Sequence, residues 1–171
     1  MFSRIDDTPS DIAFPAGDFG VVPKLLSLPV FFALVALAAA SGAQFMPGPW
    51  YETLNKPSWT PPNWIFPLAW TILYVMIAVA SWLAWRAAGW SRAIAIWGAG
   101  LVLNALWSDL MFRRQDISAA LIDIACLWLA VGAFVVAAWH LDRRASILSI
   151  AYWLWVTFAG ALNFAVWRMT G

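Results

Sequence analysis

Charge is what this chain has least of. Of its 171 residues only 11% are charged, while 63% are hydrophobic. A soluble domain spends about a quarter of its residues on charge. This chain therefore cannot coat a water-facing surface, and an integral membrane protein follows before any motif is read. Histidine and cysteine are scarce as well. One cysteine, Cys126, and one histidine, His140, exclude a disulfide framework and leave no set of metal ligands. Cys126 lies in an apolar run and reads as a small core or lipid-facing residue. His140, close to Asp142 and Arg143, reads as a solvated residue at a helix end. A net charge of +1 with no basic patch excludes nucleic acid as a partner. There is no glycine-rich phosphate loop, no nucleophile elbow and no chain of intramembrane carboxylates. No cofactor, metal or hydrolase chemistry is implied.

What the chain has instead is tryptophan, 14 in all, and long apolar runs. Residues 1–24 form a polar leader holding Asp6, Asp7, Asp11 and Asp18, broken by proline and glycine, and are expected to be a loosely attached tail. Five apolar runs follow, at about 25–46, 64–85, 93–112, 117–139 and 147–167. Each is near the ~20 residues a helix needs to cross a bilayer. The first could pass for a signal peptide, but its length and the acidic leader before it favour a retained helix. The expected fold is all-α: a five-helix transmembrane bundle filling residues 25–171, with a structured Pro/Trp-rich loop between helices 1 and 2. Ala36, Ala40 and Ala43 give the first helix a small-residue face suited to close packing. Ala95, Gly98, Ala99 and Gly100 give the third a small patch that suits either a homodimer seam or packing within the chain. Six Lys and Arg on the N-terminal side against four on the other lean toward a cytoplasmic N-terminus.

The stretch from Trp50 to Tyr74 is the most unusual. Pro57, Pro61, Pro62 and Pro67 forbid a continuous helix through its first half, yet it carries Trp50, Tyr51, Trp59, Trp64 and Trp70. Such a loop is either an interfacial aromatic belt or a lid over a pocket. Trp70 and Tyr74 share a helix face. Asn104 and Trp107, three residues apart, share another, and an amide in hydrocarbon needs a partner. That partner is either a neighbouring helix or a ligand. Asp123 reads as a structural hydrogen-bonding group, and Asp109 as an i, i+4 partner of Arg113. Tyr152, Trp155, Ala159 and Leu162 recur at helical spacing on the last span, with Asn163 beside them.

The order W-Y-x-x-L-x-K-P-x-W-x-P-P-x-W-x-x-x-x-x-W-x-x-L-Y, from Trp50 to Tyr74, resembles the translocator protein family, also called tryptophan-rich sensory proteins or peripheral-type benzodiazepine receptors. Asn104 and Trp107, followed by Leu110 and Phe112, resemble the family's N-x-x-W segment. Ala151 to Arg168 resembles its last span. The resemblance covers residues 25–168 or so, with three departures. Asp109 and Ala151 stand where the family has proline. Phe164 stands where the cholesterol-recognition pattern has tyrosine, which leaves a sterol no more than a secondary lipid partner.

The resemblance implies a pocket between the helices that binds porphyrins such as protoporphyrin IX, or other flat aromatic molecules, for sensing or transport. Its walls would be Trp70, Trp107, Trp155, Ala159 and Leu162, with Asn104 as the polar group and Tyr51 in the lid. An enzyme-like alternative is light-dependent oxidative degradation of bound protoporphyrin, with Trp70 and Trp155 as its candidate catalytic residues. A structural membrane protein without a specific ligand is the third reading. A bacterial cell membrane is the expected location.

Overall fold

The computed structural model describes residues 26–44 and 48–170, so the expected polar tail and both ends of the first expected span lie outside the described residues. Among the described residues there are helices and no strands. Six helices follow in order: α1 (Leu28–Ala43), α2 (Pro49–Thr53), α3 (Ile65–Ala88), α4 (Arg92–Ser108), α5 (Ile117–Trp139) and α6 (Arg143–Thr170). Four spans are long and apolar enough to cross a membrane: α3, α4 with its extension to Arg113, α5 and α6. The apolar helix α1 has 16 described residues and is shorter.

Local chemistry explains the boundaries. Pro29 and Pro49 sit in the first turns of α1 and α2, where a missing N–H costs little. Gly89, with φ of 61°, ends α3 in a conformation that other residues resist. Asp116 caps α5 by accepting from the Ala119 amide at 2.8 Å. The α6 helix begins four residues before the expected 147, because the turn after α5 needs only His140 to Asp142. Alanine at 151, unlike proline, lets α6 pass through without a break.

The end of α4 does not run straight. Residues Asp109–Arg113 form a π-helical turn, and the Arg114 amide reaches back five residues to the Asp109 carbonyl at 2.9 Å. Asp109 stands where the resembled family has proline, and the helix widens at that residue. Asp109 is buried and pairs with the guanidinium groups of both Arg113 and Arg114, the latter at 2.7 Å. Closing two arginines onto one carboxylate favours the wider turn.

The five longer helices pack in a ring. Helix α1 lies against α3 and α4, α4 against α5, α5 against α6, and α6 against α3. Helices α5 and α6 run antiparallel and are stitched along their length. Ser146 Oγ donates to the Val135 carbonyl (2.7 Å), Trp153 Nε1 to the Trp128 carbonyl (3.1 Å) and Trp167 Nε1 to Ser118 Oγ (3.0 Å). Gly132 allows this approach, since a Cβ there would meet the Trp153 indole at 3.2 Å.

The alanine face expected on α1 is turned outward: Ala36, Ala40 and Ala43 are exposed. Phe31, Val35 and Ala38 are its buried residues, because the gap between α3 and α4 is wide enough for larger side chains. The outer surface is apolar almost throughout. Leu37, Ile72, Val102, Ile122, Leu129, Val136 and Leu154 are all more than half exposed. Buried polar residues such as Ser81, Asn104, Asp123, Ser149 and Asn163 lie inside. That inversion is stable in hydrocarbon and not in water.

Candidate functional site

One core of the bundle is built from α1, α3, α5 and α6 with α4 packed against it, and its edge is aromatic. Trp70 on α3 stacks on Tyr74 one turn later, with ring centres 5.3 Å apart. It meets Tyr152 and Trp155 of α6 edge-on at 6.2 and 6.4 Å. Trp155 in turn contacts Phe66 (6.2 Å) and Phe158 (5.5 Å). These are the offset and edge-to-face arrangements that aromatic quadrupoles prefer. Ala159, one turn beyond Trp155, packs against the same core, and Leu162 is buried further along α6.

Polar groups sit on the inner side of this aromatic wall. Asn104 is buried and held from both sides: Tyr74 Oη donates to its Oδ1 at 3.2 Å, and its Nδ2 donates to Tyr152 Oη at 3.0 Å. The interhelical role weighed for Asn104 is thus realised, joining α3, α4 and α6. One Nδ2 hydrogen and one Oδ1 lone pair are still spare. Trp107 Nε1 donates to Asn163 Oδ1 at 3.0 Å, and Asn163 Nδ2 reaches the Ile117 carbonyl at 3.3 Å. Trp155 differs from Trp107. Its Nε1 is buried and has no hydrogen-bond partner among the described residues. An unmet buried N–H costs about 1–3 kcal/mol.

Of the residues singled out in the sequence, Trp70, Trp155 and Ala159 come together on one core, with Asn104 connected to them through Tyr74 and Tyr152. Trp107 borders that core and a smaller one. Tyr51 does not join them. It is buried in the smaller core with Met111 and Ala120, edge-on to Phe112 at 5.6 Å. Burial raises its phenol pKa above the ordinary 10.0. Lys56 Nζ lies 4.8 Å from the centre of its ring and donates to its carbonyl at 2.6 Å.

The residue of the Pro/Trp-rich segment that reaches the aromatic wall is Trp59, 5.9 Å from Phe158. Glu52 and Asn63 tie the segment's two arms together, and Asn55 donates to the Met169 carbonyl at 3.4 Å. Sequence reasoning passed over Trp59, Phe66 and Phe158 as site residues. It placed Tyr74 and Tyr152 on the right helix faces without giving them the amide of Asn104. The signal was present for the tyrosines, at i, i+4 from Trp70 and i, i−3 from Trp155.

Four apolar spans among the described residues and an inverted surface define a multi-pass membrane protein, with the aromatic wall between its helices as the candidate site. The family model described as the TspO/MBR family matches residues 26–168, and the chain belongs to that family. It is 40% identical over 147 residues to the Protein CrtK of Rhodobacter capsulatus, covering 82% of this chain and 90% of that one. It is 38% identical over 139 residues to a tryptophan-rich sensory protein of Cereibacter sphaeroides (81% and 88% covered). It is also 32% identical over 141 residues to the human translocator protein (78% and 83%).

Proposed function

We propose that this protein binds porphyrins of the protoporphyrin IX kind, and related flat aromatic molecules, between α3, α4 and α6, for sensing or transport in a bacterial cell membrane. The observation that carries this reading is the buried, unpartnered Nε1 of Trp155 in a wall of aromatic rings. A planar ligand parts Trp70 from Trp155, stacks on indole faces and offers an acceptor to that N–H. The spare capacity of Asn104 supplies a second orienting bond. Trp59 covers the wall from the Pro/Trp-rich segment. The names of the relatives, sensory protein and translocator protein, fit a protein whose task is to hold a small molecule.

In this reading α1 is a fifth span. Its support is the ring of contacts, which α1 closes between α3 and α4. A homodimer seam on α4 is part of the same proposal. Ala95 and Ala99 are exposed and a Cβ at Gly98 would meet nothing within 4 Å, whereas Gly100 faces inward to Ala130 and Leu127.

The test is a titration of purified protein with protoporphyrin IX in the dark, following tryptophan quenching, and then illumination. Saturable quenching that is lost in the double variant Asn104→Ala, Trp70→Ala is expected. Absence of saturable binding at micromolar protein overturns the ligand reading and leaves a structural protein. Light-dependent loss of the porphyrin spectrum beyond that of free porphyrin would convert binding into degradation.

A further inference from the structure

A partly open cavity of about 20 Å³ lies against Tyr152, whose ring also meets Trp70, and is lined by Ile77, Gly100, Phe134, Trp97, Ser149 and Tyr152 among others. Its lining is mostly apolar, but three polar side chains border it. Trp97 Nε1 is buried and has no hydrogen-bond partner among the described residues. Tyr152 Oη accepts from Asn104, and no described residue accepts the Tyr152 proton in turn. Ser149 Oγ gives its hydrogen to the Ala145 carbonyl at 2.9 Å and keeps its lone pairs. Ser149 and Tyr152 are three residues apart on α6 and share a face.

We infer that this cavity holds one resident water molecule. The donor and acceptor count closes on that ligand alone. The water oxygen accepts from Trp97 Nε1 and from Tyr152 Oη, and one of its hydrogens goes to Ser149 Oγ. Three bonds is the usual number for a buried water, and the volume exceeds the roughly 10–15 Å³ that one water requires. An apolar guest of similar size leaves both N–H and O–H unmet. The water joins α4 to α6. It extends the chain Tyr74–Asn104–Tyr152 to Trp97, so the phenol of Tyr152 is turned with a lone pair toward Asn104. Asn104 is thereby held in one amide orientation through Tyr152.

The test is a structure of the full chain in lipid at a resolution that shows ordered water, with a second crystal pressurised with xenon. A single solvent peak within hydrogen-bond distance of all three atoms, and no xenon in the cavity, is the expected result. An empty cavity or xenon bound there overturns the proposal. An independent readout is the Trp97 indole proton resonance in Ser149→Val, whose added methyl displaces the water. An upfield shift as that proton loses its acceptor is expected, and an unmoved resonance counts against the water. Should Ser149→Val fail to fold, the wild-type crystal pair still decides. None of these readouts depends on porphyrin binding, so they stand or fall separately from it.

Discussion

Asn104 is one side chain with two duties, and they can be separated. Its amide satisfies Tyr74 and Tyr152, so Asn104→Leu leaves two phenols without their partner in a dry interior. The expected loss is about 1–3 kcal/mol of stability, read as a lower thermal midpoint in detergent. Asn104→Asp keeps the acceptor for Tyr74 but loses the Nδ2 donor to Tyr152, and should recover part of that midpoint while binding porphyrin less well. Equal losses in both variants would mean that the amide's hydrogen bonds carry little. Trp70→Phe isolates the aromatic contribution. It keeps a ring against Tyr74 and Trp155 but removes the indole. Porphyrin affinity should fall modestly, by about 1 kcal/mol or less, and any light-driven loss of porphyrin should fall much further. Unchanged affinity and unchanged photochemistry would return Trp70 to membrane anchoring. Tyr51 makes a smaller, pH-dependent prediction. Its phenol pKa is raised above 10.0 by burial, so the folded state holds that proton more tightly than the unfolded chain does. Its contribution is full below pH 10.0 and is lost as pH rises through the folded value. Thermal unfolding of wild type and Tyr51→Phe should diverge only at alkaline pH, with wild type losing stability faster.

The elements divide into those legible in the sequence and those that packing decides. Helix α5 runs from Ile117 to Trp139, along the apolar run that hydropathy marks. The Pro/Trp-rich segment announced itself by composition, but which of its aromatics would reach the site was not readable. Tyr51 is the first strong candidate in order, yet the π-helical turn and Phe112 draw it to the Met111 core, and Trp59 reaches Phe158 instead. Partner choice of this kind depends on how far one helix end sits from another, and no local periodicity encodes that. The α1 face shows the same limit. Small residues marked a face able to pack closely, but the bundle needed volume there and used Phe31 and Val35. The π-helical turn gives the element-scale prediction. Asp109 holds Arg113 and Arg114 from a buried position while both arginines stay more than half exposed. Solvent screening keeps each such pair weak. Asp109→Asn should therefore lower the thermal midpoint slightly but expose the end of α4 more, read as faster amide exchange from Leu110 to Arg114. Asp109→Pro, restoring the residue of the family pattern, should retain the slow exchange of α5 beyond it. Unchanged exchange in Asp109→Asn would show that the turn is set by the backbone and not by the carboxylate.

At the scale of the whole molecule the question is what the exposed face of α4 meets. Five long helices form a closed ring, so α4 already has α1 on one side and α5 on the other. Its outward stripe of Ala95, Ala99 and Val102, with open space over Gly98, is left over. Apolar surface facing lipid needs no cover, because lipid tails are as apolar as the side chains. Small residues differ from large ones in one respect: they let a second helix approach until backbones touch, and dispersion and Cα–H contacts then replace lipid. The spacing of Ala95 and Ala99 is the one that permits this, and Gly100 shows the contrast, since it is turned into the bundle against Ala130. If the seam lies there, Ala99→Cys in a Cys126→Ser background should form a disulfide-linked dimer in membranes under mild oxidation. The same substitution at Ile122, exposed on α5, should not. Exchanging Ala99 for leucine should shift the protein toward monomer without a change in thermal midpoint, because Ala99 is exposed on the outside of the ring. Equal cross-linking at 99 and 122 would mean random collision, and α4 would then face lipid alone. A seam on α4 would also place the two candidate sites on separate walls of the dimer. Each protomer builds its own from α3, α4 and α6, so porphyrin binding should saturate at one molecule per chain, with no dependence on the monomer–dimer balance.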